Sequence, residues 1–413
     1  MADFRDRAQQ QTIGKVTVFA AALVPEESQR TFGWPLAAAG AQPVWLRVEN
    51  RGGETLWFAP YAMDPDYFTP AELGYVAELG SAGATRQQMV EGLRRRTFRP
   101  HIPPHSALEG FVFTALDRGA KRAPVVLFND KGNLRFDFVL NVPDLDVDFD
   151  SARLGAADPD TGAGALADLD ALRAYLEQLP CCAGDAPDRH NGDPLNIAFV
   201  GGFDTVLAAL VRSGFRETER LTTNSAAAMG WAFVMSEADR NAPISSLFLF
   251  DRRQDISMQR ARDQLDQRNH LRLWRTPVRF RGAPVWLGQI SRDAGVRFSS
   301  QHWNLTTHAI APRVDEERWY LAQAMLLSGS VEKLGFTTGV GKASFKEPRA
   351  NAEGDIYVSD GLRELFILRE QPDQQAPTTP LPWAWPPGAD GAEGPMPVPL
   401  EDDDRRPTGW TQP

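Results

Sequence analysis

The sequence predicts an α+β protein in two parts: an antiparallel β-sandwich of Ig-like kind with a helical insertion, then an α+β domain built on a mixed sheet. Three observations carry this. Residues 15 to 143 hold several short segments with the period of two that a half-buried strand requires, separated by Gly, Pro and Asn. Residues 165 to 370 instead mix short apolar runs with helix-length segments. At 413 residues the chain exceeds what one ordinary core organises.

In the first part, 1 to 143, Val44, Leu46 and Val48 alternate with Trp45, Arg47 and Glu49. Leu134, Phe136, Phe138, Leu140 and Val142 share a face opposite Arg135, Asp137 and Asn141. Further strands are expected at 15 to 24, 55 to 63, 108 to 116 and 123 to 129. Thr69-Pro70-Ala71-Glu72 places a cap, a first-turn proline and a reciprocating Glu, so a helix begins there, and Thr85 to Gln88 repeats the pattern. These helices are expected to cover one end of the sandwich, with Tyr67 and Phe68 beneath them. Asp64-Pro65-Asp66 reads as a turn rather than a calcium loop.

From 144 to 164, Asp, Gly and Ala replace the aromatics, as in an exposed acidic linker. A helix follows at 165 to 179, where Leu166, Leu169, Leu172, Leu176 and Leu179 fall on one face before Pro180. Ile197 to Val200, Gly201-Gly202 and a helix from Asp204 to near Gly214 form a strand-turn-helix unit. The turn lacks the spacing of a dinucleotide fingerprint, and Gly339 to Ser344 lacks that of a phosphate loop. Leu247 to Phe250 reads as a strand covered on both faces. Strands at 254 to 260, 270 to 276, 284 to 290 and 295 to 299 precede a helix at 315 to 328. Residues 371 to 413 are Pro-rich and read as a disordered tail, in which Trp383 and Trp385 dock on a partner or pack back onto their own domain.

Composition narrows the function. A net charge of -10 opposes binding to nucleic-acid backbones and anionic lipid surfaces, so nucleic acid is not an expected partner. Arg94, Arg95, Arg96 and Arg99 form a local basic cluster that reads as a solvated helix face. The two cysteines, Cys181 and Cys182, are adjacent and cannot staple distant segments; the bland reading is a turn after a helix. The charged start and the lack of a run of membrane-spanning length predict no transmembrane segment. They suit a soluble cytoplasmic protein, or a cell-envelope one if a signal segment precedes Met1.

The densest polar signal runs from Asp251 to Gln259 and resumes at Arg268 to Trp274. Strand geometry places Asp255, Ser257 and Gln259 on one face and His270, Arg272 and Trp274 on another, and the two coincide if the strands pair. Arg272 can then grip a carboxylate or phosphate with both arms, and His270 can move protons near neutral pH. The plainer alternative is an Asp255–Arg272 salt bridge on an exposed sheet.

At these residues the chain resembles the LssY C-terminal domain family. The resemblance rests on Asp-Ile-x-x-Gln at 255 to 259, His-x-Arg-x-Trp at 270 to 274 and Pro284-Val285-Trp286-Leu287-Gly288. Thr307 to Pro312, Val314 to Arg318 and Ser359-Asp360-Gly361 follow in order, and Pro194-Leu195-Asn196 leads in. It covers about 190 to 370 and implies no established reaction. Members are often joined to membrane-embedded phosphatase-like parts, which are absent here. The positions matching its polar pattern are Asp255, Gln259, His270, Arg272, His308, Asp315 and Arg318; Asn269 stands where the pattern more often has His.

A metal set from His270, His308, Asp255 and Asp315 is conceivable, but their spacing does not require it, and no metal or cofactor is expected. No G-x-S-x-G elbow supports a serine hydrolase. The leading expectation is a binding or scaffolding module for an anionic small molecule or envelope component, with Gln259, Arg272, Trp274 and Arg318 as ligand contacts. The competing one is a hydrolase or other acid-base enzyme centred on Asp255, His270, His308 and Asp315. Convergence in a concave pocket favours the enzyme; a flat solvated sheet does not.

Overall fold

The computed structural model describes residues 3–76, 86–143, 147–149, 154, 164–187, 192–220, 241, 244–261, 268–298, 306–351 and 354–387. In the N-terminal part lie β1 (Gln9–Ile13), β2 (Val16–Ala22), β3 (Ala41–Asn50), β4 (Leu56–Phe58), β5 (His101–Ile102), β6 (Ser106–Ala115), β7 (Gly119–Asn129) and β8 (Gly132–Val142). They form two antiparallel sheets, ordered β1-β2-β3-β6 and β5-β4-β7-β8. The alternation read in the sequence places Val18, Val44, Leu46 and Val48 against Val125, Leu127, Phe136 and Phe138 in the core between them.

The other face of the first sheet is apolar too. Trp45, Phe111 and Phe113 are buried there under α1 (Pro25–Phe32), α3 (Pro70–Val76) and α4 (Arg86–Arg96), through Phe32, Leu73, Met89 and Leu93. The helices therefore cover a sheet face rather than an end of the sandwich. Phe68 packs beneath them. The capping box at α3 is formed: Thr69 Oγ1 accepts from Glu72 N and Glu72 Oε2 from Thr69 N, both at 3.2 Å. Its repeat at Thr85 lies outside the described residues. The strand expected to 63 stops at Phe58, because Pro60 has no N–H for the ladder and opens the short α2 (Pro60–Met63). Asp64 accepts from Asp66 N and Ala115 N, closing a turn.

The C-terminal part contains β9 (Ala165–Leu166), α5 (Leu169–Gln178), β10 (Ile197–Val200), α6 (Phe203–Arg212), β11 (Arg216–Glu217), β12 (Phe248–Leu249), β13 (Arg252–Arg253), β14 (Ile256–Ala261), β15 (Arg268–Phe280), β16 (Ala283–Phe298), β17 (Thr306–Ile310), α7 (Val314–Leu327), β18 (Val331–Thr337), β19 (Arg349–Ala350), β20 (Ile356–Tyr357), β21 (Arg363–Leu368) and β22 (Thr379–Pro380). Its main sheet is mixed, ordered β11-β14-β15-β16-β10-β21-β18-β22, with β10–β21 and β18–β22 parallel. One face packs on α6 and α7 through Ile197, Phe199, Met258, Leu271, Leu273, Trp286 and Phe366. The other packs on α5, where Leu172 and Leu176 meet Ala198, Val200, Leu365 and Ile367.

Four expectations change here. Leu247 to Phe250 is no central strand: β12 and β13 form a separate small hairpin. Segments 284–290 and 295–298 belong to one long strand, β16, and residue 299 lies outside the described residues. Residues 371–387 are not a disordered tail; β22 adds an edge strand to β18, and Leu381 and Trp383 pack into the α5-side core. The expected linker at 144–164 is anchored where it is described. Phe149 and Leu154 are buried in the α6-side core, with Phe149 edge-on to Phe203 at 5.6 Å.

The two parts meet across β7 and β8. Arg122 and Arg212 both reach Asp137, and Glu217 accepts from Ala120 N. Cys181 and Cys182 are joined to each other just after α5. Among the described residues, no helix is long and apolar enough to cross a membrane.

Candidate functional site

Strands β14, β15 and β16 pair antiparallel, so alternate residues stack into rows across the sheet. Ser257, Arg272 and Gln289 form one row, and Gln259, His270 and Ser291 the next. The polar faces of the two segments thus coincide, as the spacing predicts, and β16 extends them. The face is not solvated. Ser257, Gln259 and Gln289 are fully buried, and His270, Arg272 and Ser291 are buried as well. A buried polar group needs a partner, so each contact matters.

Arg272 donates through Nη1 to Gln289 Oε1 at 3.0 Å, and through Nε and Nη2 to the carbonyl and hydroxyl of Ser245, both at 3.1 Å. Arg268 Nη1 donates to Gln259 Oε1 at 3.2 Å. Each guanidinium therefore fixes a carboxamide oxygen and turns the Nε2 end away. Gln259 Nε2 and Gln289 Nε2 are buried donors with no hydrogen-bond acceptor. Ser257 donates to Asp148, which also takes Arg253.

The Asp255–Arg272 pair does not form. Asp255 is buried and instead accepts from Arg252 Nη2 at 2.8 Å and from Arg275 N at 2.7 Å, bracing the hairpin. Trp274 is fully buried with Leu247, Leu249 and Leu287, so it is core and presents no surface to a ligand. Asn269 points to the opposite face and donates to Glu317 of α7. Neighbouring strand residues face opposite ways, so an imidazole at 269 could not join His270 in a site. His308 lies on β17 opposite Val296, and its side chain falls outside the described residues.

Asp315 and Arg318 form a second cluster on the α7 side of the sheet. Arg318 is fully buried; it grips both oxygens of Asp360 at 3.0 and 2.6 Å and donates to Leu362 O at 2.6 Å. Asp315 accepts from Ser359 Oγ and Asp360 N, holding the 359–361 turn, where Gly361 has φ +85°. Burial pushes the Asp315 carboxyl up. Glu364 lies 3.8 Å from Arg318 Nε, with both oxygens buried and unbonded, and burial raises it to about 8. On the other face Arg363 donates to the carbonyls of Leu176, Pro180 and Leu195, and burial lowers it to about 10. The sheet separates Asp315 from His270, so they cannot share an ion. Among the described residues, no group of three or more His, Cys, Asp or Glu side chains is placed to hold a metal.

The remaining shared motifs serve packing. Asn196 exchanges hydrogen bonds with Ile290 through both ends of its side chain. Trp286 donates to Gly201 O at 2.8 Å. A Cβ at Gly288 would stand 2.4 Å from Leu273 Cδ2 and 2.8 Å from Arg272 O, which explains a glycine there. Gln289, Ser291, Ser245 and Glu364 were not among the residues singled out in the sequence, and Arg268 stood there only as the start of a polar segment. Gln289 and Ser291 share a parity visible in β16, but only the pairing register places them beside Arg272 and His270.

The class is thus an α+β domain on a mixed sheet, buried by helices on both faces and polar at one end of one face. Residues 173–362 match the family described as LssY C-terminus. No curated protein and no solved structure matches the chain.

Proposed function

We propose that the LssY C-terminal domain of this chain is a binding module that takes a small anion, free or as part of an envelope component, on the polar face of β14, β15 and β16. The two buried carboxamide groups, Gln259 Nε2 and Gln289 Nε2, carry the reading. A carboxamide cannot relieve an unmet donor by gaining or losing a proton, so only an acceptor from outside can satisfy it. Oxygens of a carboxylate or phosphate suit donors that stand beside the guanidiniums of Arg268 and Arg272. His270 borders the same row as Gln259.

The test is thermal unfolding in phosphate, sulfate and citrate, for the wild type and Gln289→Glu. The substitution replaces the unmet N–H2 donor with a carboxylate oxygen, which repels an anion beside it. Saturable stabilisation of the wild type is expected, reaching about 2.7 kcal/mol at a hundred times Kd, and it should vanish in Gln289→Glu. Equal responses of the two proteins would refute the reading.

A further inference from the structure

A cleft of about 610 Å³ opens in the other domain, on the helix-covered side of the first sheet. This is within the size range of small-ligand sites. Its floor is aromatic: Phe4 stands edge-on to Trp45 at 6.0 Å and to Phe111 at 5.9 Å. Trp45 is buried, yet its Nε1 donor has no acceptor.

The rim is cationic and held by stacking. The Arg5 guanidinium lies 4.6 Å over Phe4 and 5.3 Å over Trp45, and that of Arg96 lies 5.5 Å over Phe32. A stacked guanidinium spends its face on the ring and keeps its in-plane N–H fork for an anion. The Arg5 fork is engaged by Asp3 at 3.3 Å, with Glu109 at 3.9 Å. Arg96 has no carboxylate partner among the described residues. Glu27, also in the wall, is occupied by both arms of Arg7.

We propose that this cleft binds a small aromatic carboxylate, its ring on the Phe4, Trp45 and Phe111 floor and its carboxylate in the fork of Arg96. The ring floor calls for an organic ligand with a flat apolar body. Asp3 and Glu109 on the same rim repel a dianion, which selects a monocarboxylate over phosphate. Nothing in this site overlaps the sheet face of the second domain.

The full chain is titrated calorimetrically with benzoate and indole-3-acetate, and the Trp45 indole N–H resonance, assigned with Trp45→Phe, is followed in parallel. One saturable site per chain and a shift of that resonance are expected. Arg96→Gln should weaken binding at least about tenfold at unchanged melting temperature, since Arg96 is exposed. Arg96→Lys, which keeps the charge but not the fork, should fall between. Absence of saturable binding by either acid, equal affinity in Arg96→Gln, or equal competition by inorganic phosphate would each overturn the proposal.

Discussion

The two faces of the C-terminal sheet bury polar groups in opposite ways. On the α7 side the unmet atoms include the acceptors of Glu364, which can take up a proton; burial holds that carboxyl at about 8, so it is neutral at neutral pH. On the other side the unmet atoms include the donors of Gln259 and Gln289, which have no such exit. Beside Glu364, Arg318 is locked to Asp360 and Asp315, while Arg272 grips a carboxamide and a serine. One face is therefore closed on itself, and on the proposed reading the other is completed from outside. Buried polarity alone does not mark a site; what matters is whether the protein can satisfy it unaided.

The closed face should be the more costly to disturb. Arg318→Met leaves Asp360 and Asp315 buried without their cation and should destabilise by about 3–5 kcal/mol in denaturant titrations. A loss below about 1 kcal/mol would mean that the clamp is not structural.

Glu364 sharpens the comparison through pH. Its folded value of about 8 lies above the 4.5 of an ordinary glutamate, so the folded state holds the proton more tightly. Its contribution is complete below about 4.5 and is lost as pH rises to about 8, at up to about 1.4 kcal/mol per pH unit. Glu364→Gln should remove that slope, making the variant the more stable protein above pH 8. Parallel stability–pH curves for the two proteins would contradict this.

The smallest effect is a control outside both faces. Thr69→Ala removes the cap of α3 and should cost about 1 kcal/mol without altering the pH slope or any anion response.

Much of the architecture was legible in the residues. The alternation around Val44 and Phe136 located both sheets of the sandwich, and Thr69 to Glu72 located a helix start. The alternation of Ser257 and Gln259 with Ile256 and Met258 placed the polar face. Other features depended on register and long-range packing. That Trp45 faces a second core, that Asp255 pairs with Arg252, and that Gln289 meets Arg272 are facts of pairing between distant segments. Glu364 sat hidden at the start of an apolar strand, because nothing local shows that it faces Arg318. The Pro-rich composition of 371–387 suggested disorder, yet Pro380 is tolerated at an edge strand and Leu381 anchors the segment in the core.

The most direct measurement is of the carboxamide itself. The side-chain N–H2 resonances of Gln289, identified by their loss in Gln289→Glu, would be followed as the full chain is titrated with inorganic phosphate and then citrate. A saturable downfield shift with at least one anion, matched by Gln259, is the predicted result. Resonances of both glutamines that stay unmoved by either anion would show that the face is closed like its opposite, and the proposed binding role would fall.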